Sequence, residues 1–172
     1  MPRVIDYTGQ RVGVFVDVQN MYYSAKNLYG KKVNFANILR TARGERTLIR
    51  AIAYGIRAEA MKEQTFFQAL EAIGFELKVK DIQIFAGGAK KGDWDIGIAM
   101  DAIETAPRLD VVVLISGDGD FVPLVEHLRR ALGCKVEVMA FGKSTSSMLK
   151  EAADIFTDLD ADTRKYLITK SA

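Results

Sequence analysis

Cysteine and histidine are almost absent: the 172 residues hold one of each, Cys134 and His127. One thiol cannot close an internal disulfide, and one thiol with one imidazole cannot build a Cys/His zinc cage, so disulfide scaffolds and structural zinc are excluded together. The same scarcity leaves Ser/His and Cys/His nucleophile schemes without a base. An excess of charge is also missing. Lys plus Arg number 24 and Asp plus Glu 22, a formal net charge of +2, too small to attract a polyanion by bulk electrostatics. Nucleic-acid binding, if present, has to come from a local patch. Long apolar runs are lacking as well: the strongest, Val111 to Ile115, falls far short of the roughly 20 residues a membrane helix needs. The stretch from Met1 to Gln10 has Arg3, Asp6 and Gln10 but no apolar secretory core. These absences predict a cytoplasmic protein with no membrane partner.

What is present is a globular profile: 49% hydrophobic residues and a mean hydropathy of +0.02. The length suits one domain spanning residues 1–172. Val12 to Asp17 (VGVFVD) is an apolar, β-branched run that reads as a buried parallel strand ending in a carboxylate. Helices follow over Met21 to Tyr29, stopped by Gly30, and over Asn34 to Arg43, stopped by Gly44. Thr47 to Gly55 is a strand. Ala58 to Ile73 is a helix with Phe66, Leu70 and Ile73 on one stripe. In Phe75 to Lys80 the period becomes two, and its lysines suit an edge strand. Ile82 to Phe85 leads to a Gly-Gly, Lys-Lys loop, and a helix covers about Asp93 to Glu104. Strands over Val111 to Ile115 and Lys135 to Ala140 flank a helix whose Val125, Leu128 and Leu132 are expected to face the core and which ends at Gly133. Ser144 to Ala153 is helical, Asp154 to Leu159 is a last strand, and Thr169 to Ala172 frays. This alternation predicts an α/β fold of three α/β/α layers around a mainly parallel, Rossmann-like central sheet.

In such sheets ligands bind beyond the carboxyl ends of the strands. Three acidic groups fall there: Asp17 with Asn20, Asp93 with Asp95 in KGDWD, and Asp118 with Asp120 in SGDGDF. An Asp or Asn between strand and helix can simply be an N-cap, and that reading competes at Asn20, Asp93 and Asp120. It is weaker at Asp17, which closes an apolar run, and it does not explain two aspartates within three residues at SGDGD. Carboxylates converging on one rim repel each other unless a cation neutralises them. Hard oxygen ligands without a thiolate cluster select Mg²⁺ or Mn²⁺, which activate water and stabilise charge on a phosphoryl oxygen.

DVQN with Asp17 and Asn20, KGDWDIGIAMD with Lys91, Asp95 and Asp101, and SGDGDF with Asp118 and Asp120 resemble the NYN domain family, particularly its bacterial LabA-like members. The likeness runs from about Arg11 to Asp160 and includes SMLKEAADIF. It implies a PIN-like fold and an Mg²⁺- or Mn²⁺-dependent, endoribonuclease-like hydrolase site acting on RNA, with single-stranded RNA as the expected partner. By the same likeness Asp17, Asp95 and Asp118 form the acidic core that binds metal and supports catalysis, Asp120 is a fourth member and Asn20 a polar accessory. Many members of that family have a serine between the last two aspartates, where this chain has Gly119. Asp101 lies six residues after Asp95, about 120° around a helix, and is expected in a supporting or solvent position.

Other signals are secondary. FGKST at Phe141 to Thr145 lacks the earlier glycine of a P-loop. The turn still follows a strand, and its backbone donors around Lys143 and Ser144 could hold a phosphate, with Ser144 as an ordinary cap the competing reading. Lys90 and Lys91 form a candidate phosphate clamp and Arg57 a weaker one. Ser116, at the head of SGDGDF, joins Asn20, Lys90, Lys91, Lys143 and Ser144 in the substrate-binding set. Tyr22 and Tyr23 could stack a base or pack in the core. Trp94 is expected to pack under its helix start, His127 to be superficial and Cys134 to be buried and inert. Two rivals stand beside the nuclease: a regulatory RNA- or protein-binding module that keeps the acidic site with little turnover, and a small-molecule phosphohydrolase, for which DVQN lacks the second aspartate of the haloacid-dehalogenase motif. Apolar residues on an edge strand or outer helix could support a homodimer.

Overall fold

The first strand is apolar without alternation because both of its faces are covered. In a computed structural model that describes residues 8–58, 63–84, 86–88 and 90–169, every residue from Val12 to Val18 is buried. In chain order the elements are β1 (Arg11–Asp17), α1 (Val18–Tyr29), β2 (Lys32–Val33), α2 (Phe35–Arg43), β3 (Thr47–Arg57), α3 (Gln64–Ile73), β4 (Glu76–Asp81), β5 (Gln83–Ile84), β6 (Lys90–Lys91) and α4 (Asp95–Thr105). There follow β7 (Val111–Ile115), α5 (Val122–Arg130), β8 (Lys135–Ala140), α6 (Ser147–Ala152), β9 (Ile155–Asp158), α7 (Thr163–Tyr166) and β10 (Leu167–Ile168).

Six strands form one sheet in the order β4-β3-β1-β7-β8-β9, and every neighbouring pair is parallel. The chain thus builds outward from β1 in one direction, then returns to the other side of β1 with β7. Order reverses between these two strands, which opens a crevice at their carboxyl ends. Helices cover both faces. One core joins Val14, Met21, Ile38 and Leu70 under α1, α2 and α3. The other joins Phe15, Ile98, Val125 and Leu149 under α4, α5 and α6. This is the three-layer arrangement that the alternation predicts. Among the described residues no helix is long and apolar enough to cross a membrane.

Local chemistry sets most boundaries. Gly30 ends α1 in the left-handed region at φ 61°. Asn34 caps α2 by accepting from the Asn37 N–H at 3.1 Å. At Gly13 an added Cβ would stand 2.5 Å from Leu109 Cδ1, so glycine is what lets the chain before β7 lie against β1. β4 is an edge strand as expected, but its polar side is not bare. Lys78 Nζ donates to Asp101 on α4 at 2.7 Å, and Lys80 Nζ sits 4.7 Å from the Trp94 ring.

Several expectations differ from the structure. Leu132, expected on the core face of its helix, is exposed because α5 ends at Arg130, while Val125 and Leu128 are buried as expected. The helix expected from Ala58 is described only as α3, because residues 59–62 lie outside the described residues, as do Phe85, residues 1–7 and residues 170–172. The helix expected from Ser144 starts at Ser147, after a tight turn over Gly142–Ser144, because Ser146 rather than Ser144 caps it, accepting from Leu149 N at 3.4 Å. Three short pieces are additional: the antiparallel pairs β2 with β10 and β5 with β6, and the single turn of α7. Cys134 is buried, its thiol facing the Ala106 and Leu109 carbonyls at 3.7 and 3.8 Å, and His127 is exposed. Trp94 packs as expected, its ring against Tyr54 and its Nε1–H donating to Gly55 O at 2.8 Å.

Candidate metal centre

Three acidic segments meet at the crevice between β1 and β7. Asp17 is the last residue of β1 and also caps α1, accepting from Asn20 N at 3.3 Å. Asp118 follows β7 and caps the turn over Gly119–Phe121, accepting from Asp120 N at 2.9 Å. Asp95 is the first residue of α4, and its N–H is held by Asp93 Oδ1 at 3.3 Å. One carboxylate oxygen from each of Asp17, Asp95 and Asp118 lies within 4.8 Å of the other two.

Capping and convergence therefore occur in the same side chains. A carboxylate has about four lone-pair directions, so an N-cap bond leaves others free. The side-chain caps are Asp17 and Asp118, not Asn20 or Asp120; Asp93 accepts from Asp95 N, but the residue at the cap position of α4 is Trp94, which makes no side-chain cap bond. Asn20 instead accepts from Gly117 N at 2.9 Å, fastening the loop after β7 to α1. Ser116, expected among the substrate contacts, has a different place: it is fully buried, donating to Asp17 Oδ2 at 3.1 Å and accepting from Asp118 N at 3.2 Å. It fixes two of the three carboxylates relative to one another. At Gly119 a Cβ would stand 2.8 Å from Ser146 Oγ and 3.0 Å from Ser146 Cβ. The glycine lets the acidic loop lie against the cap of α6.

Among the described residues the cluster has no compensating cation. Burial, reinforced by the charges of Asp118 and Asp93, raises the Asp17 carboxyl to about 6 against the opposing bonds from Asn20 and Ser116. Asp95 is likewise raised to about 6, first by burial and then by the charges of Asp118, Asp93, Asp17 and Asp120. Among the described residues no lysine or arginine forms an ion pair with any of the three. An all-oxygen donor set with its own positive charge missing fits a hard divalent cation such as Mg²⁺ or Mn²⁺.

The other candidates lie apart. Asp120 is exposed and outside the three-oxygen cluster, acting on Asp95 through its charge. Asp101 accepts from Lys78 Nζ at 2.7 Å and Tyr54 OH at 2.8 Å, a supporting position away from the centre. Arg57 is taken by Asp81 at 2.8 Å. The backbone of Lys90 and Lys91 forms β6, but their side chains lie outside the described residues. The turn expected to receive phosphate is already filled. Gly142 N donates to Asp158 and Lys143 N to Asp160, at 2.9 and 2.8 Å. Ser144 N, Thr145 N and Ser146 N donate to the carbonyls of Phe141, Gly142 and Gly117. No backbone donor from Gly142 to Ser146 remains for a substrate, and the Ser144 hydroxyl also turns back to Phe141 O. Asp158 and Asp160 were thus missed as the occupants of this turn. Their signal was present in DLDAD, which follows β9 just as the other acidic groups follow their strands.

With this geometry established, the relatives can be placed. The NYN domain matches residues 11–160. The chain belongs to the NYN domain family. NYN domains are PIN-like nucleases, a group typically dependent on divalent metal and associated with RNA. Low amplitude and bright protein LabA of Synechococcus elongatus is 28% identical over 165 residues, covering 91% of this chain and 87% of that protein. This NYN chain is therefore LabA-like. A solved structure of a protein of unknown function from Vibrio parahaemolyticus shares 36% identity with a TM-score of 0.86, covering 96% of this chain and 100% of that one. The likeness extends through nearly the whole α/β/α architecture.

Proposed function

We propose that this NYN domain is a ribonuclease that hydrolyses phosphodiester bonds with an Mg²⁺ or Mn²⁺ ion held by Asp17, Asp95 and Asp118. The observation that carries the reading is that three segments far apart in the chain bring their carboxylate oxygens within 4.8 Å of one another, with no ion pair to any of them among the described residues. The ion, when bound, supplies activation of water and neutralisation of charge developing on the phosphoryl oxygens. The protein's own part is preorganisation. Ser116 and the Asn20 N–H hold Asp17, and the Asp120 N–H holds Asp118, so little side-chain freedom is left to lose when an ion and a phosphate arrive. Asp120, which is exposed, would complete the ion's surroundings through water. No side chain is needed as a nucleophile.

The test compares purified parent and Asp118→Asn on single-stranded RNA with Mn²⁺. Loss of a ligand of this kind is expected to slow cleavage by about 100-fold or more. Equal cleavage by the two proteins would contradict the reading. One observation favours the alternative of a binding module with little turnover: the turn over Gly142–Ser144, expected to receive a substrate phosphate, has its donors consumed by Asp158, Asp160 and the Phe141 carbonyl. That alternative predicts RNA binding by the parent without cleavage in either metal.

A further inference from the structure

The helix that Asp17 caps carries an aromatic and cationic row on its outer side. Val18, Met21 and Ala25 face the core. Tyr22 and Tyr23 point away from it, 44% and 48% exposed, with their rings 5.3 Å apart in an edge-to-face arrangement. They answer the alternative left open by the sequence, because neither is a core residue. Tyr22, Lys26 and Tyr29 occur at i, i+4 and i+7 and share one face of α1. Lys26 Nζ lies 5.9 Å from the Tyr22 ring, and Lys143, from the turn after β8, places its Nζ 5.6 Å from the Tyr29 ring. Tyr23 follows Asn20 by one turn, on the side of the helix that meets the acidic loop through Gly117.

Helix propensity does not call for two adjacent tyrosines with half their surface in water, where alanine or lysine would form the helix better. The charge along the helix is one-sided too. α1 contains no acidic residue, Lys31 and Lys32 continue it beyond Gly30, and neither Lys26 nor Lys143 has a carboxylate partner among the described residues. Two carboxylates stand at the far end: Asp160, engaged by the Tyr29 hydroxyl and by Lys143 N, and Asp158, engaged by Gly142 N. Flat apolar faces alternating with unpaired cations suit bases and phosphates presented in turn by a single strand, since every base has a face to stack and each phosphate one negative charge. The overall charge of +2 makes this local concentration more telling.

We infer that the outer face of α1 is a binding track for single-stranded nucleic acid, with bases stacked on Tyr22 and Tyr23 and phosphates held by Lys26 and Lys143, leading to the acidic centre that begins at Asp17. The inference rests on the nuclease reading for its direction, but not for its measurement, because stacking needs no divalent ion. A paired duplex hides its base faces and is not a ligand of this track.

The experiment is fluorescence anisotropy of a labelled oligouridylate with the full chain in EDTA, where cleavage does not interfere. Tyr22→Ala combined with Tyr23→Ala is expected to weaken binding by about tenfold or more, while the matching pair of phenylalanine substitutions keeps the parent affinity. Lys26→Gln is expected to lower the salt dependence of binding. Undiminished binding by the alanine pair, equal affinity of the parent for a hairpin duplex, or no binding by the parent would each overturn the track. So would a change in oligomeric state in place of a change in affinity, which would make this face a contact between protein chains. The two readings fail separately. Tyrosine-dependent binding with Asp118→Asn still cleaving refutes the metal centre alone, and Asp118-dependent cleavage with the alanine pair still binding refutes the track alone.

Discussion

Asp95 and Asp101 sit six residues apart on α4 and have opposite electrostatic settings. Asp95 is raised to about 6, by burial first and then by four neighbouring carboxylates. Burial also disfavours the Asp101 carboxylate, but the Lys78 ammonium and the Tyr54 hydroxyl outweigh it and hold Asp101 below its usual range. The same hydroxyl is pushed far up by its own burial and by the bond to Asp101, so it remains a donor at any working pH. One end of the helix carries a charge balanced by the fold itself. The other carries a charge that the fold gathers with other carboxylates and that no described side chain balances. A folded protein tolerates the second arrangement when a soluble cation completes it, and this difference separates a structural carboxylate from one available for chemistry.

The comparison can be broken most strongly through activity. Asp95→Asn, like Asp118→Asn, is expected to reduce Mn²⁺-dependent RNA cleavage by about 100-fold or more, whereas Asp101→Asn should leave it within about threefold. Equal losses at 95 and 101 would erase the distinction. The next effect is in stability against pH. Asp17 has a folded value of about 6 against an ordinary 3.8, so its contribution is fully present below the unfolded value and is lost as pH rises through 6. In EDTA, chemical unfolding should show the protein losing about 2–3 kcal/mol between pH 4 and pH 7 from this group, and Mn²⁺ should remove most of that loss. Asp101 acts in the opposite sense: its stabilisation is present above its unfolded value and disappears as pH falls.

Smaller effects sharpen the same contrast. Asp101→Asn is expected to cost about 1–2 kcal/mol in unfolding free energy, because Lys78 and Tyr54 lose their charged partner inside a partly buried site. Ser116→Ala should cost about 1 kcal/mol and lower the apparent Mn²⁺ affinity severalfold, since Asp17 and Asp118 lose the hydroxyl that joins them. A metal titration followed by thermal unfolding separates the two, because only the serine variant should need more Mn²⁺ to reach its plateau.

Much of this was legible in the residues, for identifiable reasons. Val12 to Asp17 and Val111 to Ile115 are buried on both faces, so their unbroken apolar runs mark parallel strands, and the polar residues that end them mark the crevice. That the acidic groups around Asp17, Asp95 and Asp118 share one rim could be argued from their positions after strands and before helices, whereas the choice of these three among the neighbouring carboxylates came from the family resemblance. What could not be read was how hydrogen bonds are shared. Asn20 and Ser116 are polar residues beside aspartates in the sequence, and only in three dimensions does one hold Gly117 and the other bridge two carboxylates. The filled turn at Gly142 illustrates the same limit. Its donors look free along the chain because their partners, Asp158 and Asp160, arrive from the far side of β9. Lys78 was legible as an edge-strand lysine but not as the partner of Asp101, a contact made across the sheet face between β4 and α4.

The most direct measurement is a crystal soaked in Mn²⁺ with data collected at the manganese absorption edge. The account predicts an anomalous peak touched by carboxylate oxygens of Asp17, Asp95 and Asp118, absent from Asp118→Asn crystals treated in the same way. A peak that touches none of the three, or a fully soaked crystal with no peak between β1 and β7, would contradict it.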